Sequence, residues 1–155
     1  MEKSVVFGGL VSQIEPLLDG DLPRDQKLAA VCRLLAGGVS YYNWVGFYIV
    51  SADGKSLRLG PYVGAPTDHV EIPFGRGICG QAAQTKETFV VQDVSKETNY
   101  LSCSIHVKSE IVIPIIRDGR VLAELDIDSH EVAPFTALDR DFLEGLCRKL
   151  EKVFQ

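Results

Sequence analysis

The sequence predicts an α+β domain in which helices pack against an antiparallel sheet. Three observations point there. Two amphipathic helical stretches open the chain. A run of short apolar strands follows, separated by Asp-Gly and Gly-rich turns and broken by one short helix. A long amphipathic helix then closes the order. At 155 residues the expectation is one domain, 1–155, large enough to build a core without disulfide or metal staples.

Over 2–18, Val6, Leu10, Ile14 and Leu17 or Leu18 fall on one helical face. Asp19-Gly20-Asp21 breaks that helix, and Leu22-Pro23-Arg24-Asp25 restarts the chain. A second helix over about 24–37 sets Leu28, Val31, Cys32 and Leu35 at the i, i+3, i+4, i+7 spacing of a buried stripe, which makes Cys32 a core thiol. Gly37-Gly38 ends it. The run VSYYNWVGFYIV (39–50) reads as a strand, with Trp44, Gly46 and Tyr48 on one face. Ser51-Ala52-Asp53-Gly54 turns the chain into an antiparallel partner, SLRLGPYVG. A short strand in HVEIPF leads through Gly75-Arg76-Gly77 to a helix over about 78–85. Next come a strand in ETFVVQDV and a polar connection over 95–108. The strands EIVIPII and VLAELDID flank Asp118-Gly119, a two-residue hairpin signal. The last helix, Thr136 to Phe154, points Leu143, Leu146, Cys147, Leu150 and Val153 inward and opens on a capping-box pattern, Thr136-Ala137-Leu138-Asp139.

Composition excludes several classes. The net charge of −5, without a basic cluster, argues against nucleic acid as a partner. No apolar run reaches the length of a membrane span, and VVFGGLV lacks the flanks of a signal peptide. The four cysteines (32, 79, 103, 147) fit neither a zinc pattern nor a dense disulfide framework, so reduced thiols in a cytoplasmic protein are expected. The three histidines (69, 106, 130) lack ligand spacing, and no metal or cofactor is expected. The glycine loop GRGICG is not followed by Lys-Ser/Thr, which excludes a nucleotide cradle.

The chemistry concentrates between Asn99 and Ser129. Asp126 and Asp128 sit at i and i+2 and therefore share a face of their strand. A hairpin at Asp118-Gly119 carries Glu110, at the start of the preceding strand, back toward them. Two aspartates closing an apolar strand are poor strand formers, so a pocket, a turn or solvent must account for them. Cys103, in a polar segment seven residues before Glu110, places a thiol near the three acids, unless it is an incidental loop cysteine.

The strings NWVGFY (43–48), LGPYVG (59–64), IPFGRGICG (72–80), SEIVIPI (109–115) and LDIDS (125–129) resemble the GAF-domain free methionine-R-sulfoxide reductases. The resemblance covers nearly the whole chain after Val39. It implies a GAF-like six-stranded antiparallel sheet flanked by helices, with a small closed pocket on one face. The activity implied is reduction of free methionine-(R)-sulfoxide to methionine by cysteine thiols. The resemblance assigns the nucleophile to Cys103, the pocket lining to Trp44 and Tyr48, and substrate binding to Glu110, Asp126 and Asp128. It also implies a homodimer with the N-terminal helices near the interface.

Attack on the sulfoxide sulfur by Cys103 leaves a sulfenic acid, which a second thiol condenses to a disulfide for a thioredoxin-like protein to reduce. Cys79 is the expected second thiol, at a helix start where the dipole favours thiolate. It is also a small apolar residue of the kind that simply packs. His106 and Lys108 are near enough in sequence to favour the Cys103 thiolate. Mutual repulsion among the acids raises at least one pKa, which would make that group a proton donor to the departing oxygen. Two departures stand out. The family's further cysteine before the Ile-Pro strand is absent, with His69 near its place, and the segment around Cys103 differs. The alternative is a non-catalytic GAF module binding methionine, its sulfoxide or a cyclic nucleotide.

Overall fold

The computed structural model describes residues 2–101 and 105–154. The helices are α1 (Lys3–Asp19), α2 (Arg24–Gly38), α3 (Gly77–Thr85) and α4 (Ala137–Leu150). The strands are β1 (Trp44–Val50), β2 (Ser56–Val63), β3 (Glu71–Pro73), β4 (Phe89–Val91), β5 (Ser109–Arg117) and β6 (Arg120–Ser129). They form one six-stranded sheet in the order β3-β2-β1-β6-β5-β4, with every neighbour antiparallel.

Strand periodicity sorts the side chains onto two faces. Val45 and Phe47, Ile111, Ile113 and Ile115, and Ala123, Leu125 and Ile127 form a buried cluster with α1, α2 and α4. Cys32 and Cys147 lie in that cluster, as their helical spacing predicts. The opposite face carries Trp44, Tyr48 and Val112, covered by Ile78, Cys79, Ala82 and Ala83 of α3. Three helices therefore build the core, and the fourth roofs the other side.

Two expectations change in detail. The buried ridge of α1 is Phe7, Leu10, Ile14 and Leu18, with Val6 at its margin. The stretch before Trp44 is a turn rather than the start of β1: Val39 N–H closes α2 onto Leu35 O, and Tyr42 N–H returns to Val39 O. That turn sends the Tyr41 and Tyr42 hydroxyls to the fully buried Asp139 carboxylate at 2.6 and 2.9 Å. Lys3 Nζ joins it at 2.6 Å, and Thr136 N–H donates to the same group at 2.9 Å as part of the capping box. Burial alone would raise the Asp139 pKa. The Lys3 ammonium, the Thr136 amide and the two tyrosine hydroxyls outweigh it and hold the pKa below the usual range. One carboxylate thus ties the start of α1, the approach to β1 and the start of α4 together.

The β5–β6 hairpin turns at Asp118 and Gly119, both at positive φ (50° and 76°), as a two-residue turn of this kind requires. The ladder starts from Arg117 opposite Arg120 and shifts register between Ile115 and Ile116. Beyond this bulge Glu110 pairs with Asp128 and Val112 with Asp126. Continued without the bulge, the ladder would set Glu110 opposite Ile127 and turn it to the helical face.

Candidate active site

The site face is built as cross-strand rows. Asp128 of β6 stands between Trp44 of β1 and Glu110 of β5. Asp126 stands between Gly46 and Val112, and Glu124 between Tyr48 and Pro114. Partners in a row share a face, so Trp44, Tyr48, Glu110, Asp126 and Asp128, all expected from the sequence, come together on three central strands. All five are buried.

Glycines shape the aromatic wall. A Cβ on Gly46 would lie 2.4 Å from the Trp44 ring, and one on Gly64, at φ +132°, would lie 2.6 Å from it. The indole therefore lies flat over bare backbone. Its Nε1–H donates to Ala65 O at 3.0 Å, and the ring stacks on Tyr62 at a centroid distance of 5.3 Å. Tyr48 hydroxyl donates to His69 O at 2.8 Å, anchoring the connection that precedes β3.

From the opposite side α3 lowers Cys79 onto the acids. Its close approach depends on Gly80, where a Cβ would lie 2.6 Å from Pro73 O. The Cys79 thiol donates to Asp126 Oδ2 at 3.3 Å. The sequence-based expectation that the helix start favours thiolate here is overturned. Burial, followed by the charges of Asp126, Glu110 and Glu124, pushes the Cys79 pKa well above the ordinary thiol range. Asp126 is also raised, first by burial, with the hydrogen bonds from Glu110 and Cys79 opposing.

Sequence reasoning missed two residues. Glu124 shares the face of Asp126 and Asp128 and is fully buried, and neither of its carboxyl oxygens has a hydrogen-bond partner within normal distance. Burial and then the Asp126 charge hold its pKa well above the carboxylate range, with only the neighbouring Cys79 thiol pulling the other way. The same i, i+2 spacing that picked out the two aspartates extends to Glu124 and would have found it. Asn99 is the other. Its Oδ1 accepts from Gly77 N–H at 2.9 Å and its Nδ2 donates to Gly75 O at 3.0 Å, so it pins the connection preceding Cys103 to the start of α3. Cys103 itself lies outside the described residues.

Two small cavities open on this face. One of about 10 Å³ is bounded by Tyr48, His69, Cys79, Leu101, Glu110 and Asp126 among others. The second, about 100 Å³, is lined by Asn43, Trp44, Ala65, His106, Val107, Asp128 and His130. Neither wall contains lysine or arginine among the described residues. Buried carboxyls gain from nearby positive charge, whether from the histidines on these walls or from a ligand. The arrangement suits a ligand that brings positive charge together with an apolar portion for the aromatic wall.

Comparison with known proteins agrees with this geometry. The GAF domain model matches residues 24–153. Free methionine-R-sulfoxide reductase of Saccharomyces cerevisiae is 44% identical over 112 residues, covering 71% of this chain and 62% of that protein. The Escherichia coli free methionine-R-sulfoxide reductase is 33% identical over 153 residues, covering 99% of this chain and 91% of its own length. The crystal structure of free methionine-R-sulfoxide reductase from Neisseria meningitidis in complex with its substrate superposes with a TM-score of 0.94 at 36% identity, covering 99% of this chain and 91% of that one. With its fold, its row of buried acids and these relatives in accord, the chain belongs to the GAF-domain family of free methionine-R-sulfoxide reductases.

Proposed function

We propose that the protein reduces free methionine-(R)-sulfoxide to methionine. The observation that carries the reading is the convergence of Glu110, Asp126 and Asp128 beside Trp44 and Tyr48 on one buried face. Carboxylates of this set pair with the substrate ammonium, and the Trp44 ring covers its methyl group. The Cys103 thiolate attacks the sulfoxide sulfur, and the oxygen takes a proton as it passes to Cys103. The products are methionine and a Cys103 sulfenic acid. Asp126, its pKa raised by burial, is suited to supply that proton.

A second thiol then attacks the sulfenic sulfur, releasing water and leaving a disulfide. Cys79 fills this role in the reading: of the three described cysteines it is the one on the site side of the sheet, whereas Cys32 and Cys147 lie among the core helices. Its raised pKa makes the step slow unless Asp126 accepts the thiol proton across their hydrogen bond. A thioredoxin-like dithiol reduces the disulfide, which places the protein in a reducing compartment such as the cytoplasm. No helix among the described residues is long and apolar enough to cross a membrane. The reading includes a homodimer through the N-terminal helices, supported by Val5 of α1, an exposed apolar side chain.

The test is NADPH consumption coupled through thioredoxin, with each sulfoxide epimer, in wild type and Cys103→Ser, repeated with dithiothreitol. Turnover of the (R) epimer alone, abolished by Cys103→Ser, is expected. Activity with dithiothreitol but not thioredoxin would remove the Cys79 relay and leave the chemical step. Silence with both reductants in folded, reduced protein would replace the enzyme by a GAF module that binds its ligand without turnover.

A further inference from the structure

The small cavity between α3 and the sheet has a chemistry of its own. Its wall brings together a thiol sulfur and two carboxyl groups, those of Cys79, Glu110 and Asp126, with one potential ligand atom from each within 4.8 Å of the others. All three residues are buried. At about 10 Å³ the space suits one water or one ion rather than an organic molecule. Asp126 gives a second sign of an absent partner: the residue is buried on this cavity wall, and its Oδ1 has no hydrogen-bond partner.

We propose that Cys79, Glu110 and Asp126 bind a single borderline-soft divalent cation of the Zn²⁺ class. The distances suit such an ion. With Zn–S near 2.3 Å and Zn–O of 2.0–2.2 Å, a sulfur and an oxygen ligand of a tetrahedral ion stand roughly 3.5–3.7 Å apart. Cys79 Sγ and Asp126 Oδ2 are 3.3 Å apart, so a few tenths of an ångström of separation would admit the ion. The mixed sulfur and oxygen set favours Zn²⁺ or Cd²⁺ over Mg²⁺ and Ca²⁺, which take oxygen alone. Three protein ligands leave a fourth position, and His69 lies on the wall of the same cavity. The histidine spacing along the chain carries no hint of this site, because its ligands come from a helix and two strands of the sheet.

The consequence for function rests on the reductase reading. Glu110 and Asp126 serve the substrate in that reading, so cation and substrate exclude one another, and the ion is a competitive inhibitor acting at the acids themselves. Cation binding does not depend on turnover and is measured separately.

Reduced protein freed of metal with a chelator is titrated with Zn²⁺ by calorimetry and with Co²⁺ by near-ultraviolet absorption. One equivalent is expected to bind, with a thiolate-to-Co²⁺ charge-transfer band. Mg²⁺ should not compete. Cys79→Ser should abolish the band, and Glu110→Gln should weaken Zn²⁺ binding by about tenfold or more, while Cys32→Ser and Cys147→Ser keep both. Near-ultraviolet circular dichroism checks that each variant is folded, and Cys79→Ala serves if the serine variant is not. Binding retained in folded Cys79 variants, a band lost only in Cys103→Ser, or no stoichiometric binding by wild type would overturn the site. Cys79-dependent binding by a protein that never turns over the sulfoxide would uphold the site while the reductase reading fails.

Discussion

Replacing Glu124 with glutamine separates the energetics of this face from its chemistry. In the unfolded chain the carboxyl ionises near its ordinary pKa of about 4.3. In the fold, burial and the Asp126 charge hold that pKa well above this value. Between the two values the native state binds a proton that the unfolded state has released. Stability is therefore greatest below the unfolded pKa and falls as pH rises toward the folded one, at about 1.4 kcal/mol per pH unit. Wild type therefore loses stability from this group as pH rises above about 5, where the unfolded carboxyl is already mostly ionised. Glutamine does not titrate, so Glu124→Gln lacks that loss. Asp126, also raised, contributes with the same sign in both proteins and largely cancels in the comparison.

Urea unfolding of the reduced proteins at half-unit pH steps reads the difference directly. The stability of the variant relative to wild type is expected to climb above pH 5, by at most about 1.4 kcal/mol per pH unit, until the folded carboxyl itself titrates, whatever constant offset the amide introduces. Parallel curves would refute the reasoning, because they would mean that Glu124 ionises alike in both states. Glu124→Leu gives an independent check. Removing two unpartnered buried oxygens should stabilise the protein at neutral pH by about 1–3 kcal/mol.

Two further perturbations follow from the fold. Asp139→Ala removes the acceptor shared by Lys3, Tyr41, Tyr42 and the Thr136 amide. It should cost about 3 kcal/mol in urea unfolding at pH 7. The contribution of Asp139 is full above its unfolded pKa of about 3.9 and is lost as pH falls through the lower folded value, so Asp139→Asn should flatten the acid end of the stability curve. Gly46→Ala puts a methyl 2.4 Å from the Trp44 ring and should cost about 1–3 kcal/mol. It should also displace the ring, and Trp44 is the only tryptophan, so the shift is visible in intrinsic fluorescence. Unchanged emission with wild-type sulfoxide binding would show that the indole is not held by that glycine.

Much of this could be read along the chain because it depends on local periodicity. The helical stripe of Leu28, Val31, Cys32 and Leu35 buries where its spacing says it should, and the strand period places Trp44 with Tyr48 and Asp126 with Asp128. What stayed hidden depends on long-range contact. Tyr41 and Tyr42 read as strand because they are aromatic and precede a strand. Their hydroxyls are claimed instead by Asp139, close to a hundred residues away. The state of Cys79 is hidden for the same reason: a helix start is visible in sequence, whereas three carboxyls arriving from the sheet are not. Glu124 escaped differently. Its period was visible, but an acid inside an apolar strand does not announce that it will be buried.

The bulge between the hairpin turn and the acids works like a frame correction in a message read two letters at a time. The turn sets one frame and the site needs the other, and a single surplus residue near Ile116 and Leu122 reconciles them. Deleting that residue would leave a hairpin with a more regular hydrogen-bond ladder and every side chain retained between Glu110 and Ile115. Yet Glu110 would then share a face with Ile127 instead of Asp128, and either the acid or the isoleucine would be on the wrong side of the sheet. The irregularity is the part of the hairpin that encodes the pocket, and a more ideal hairpin would erase it.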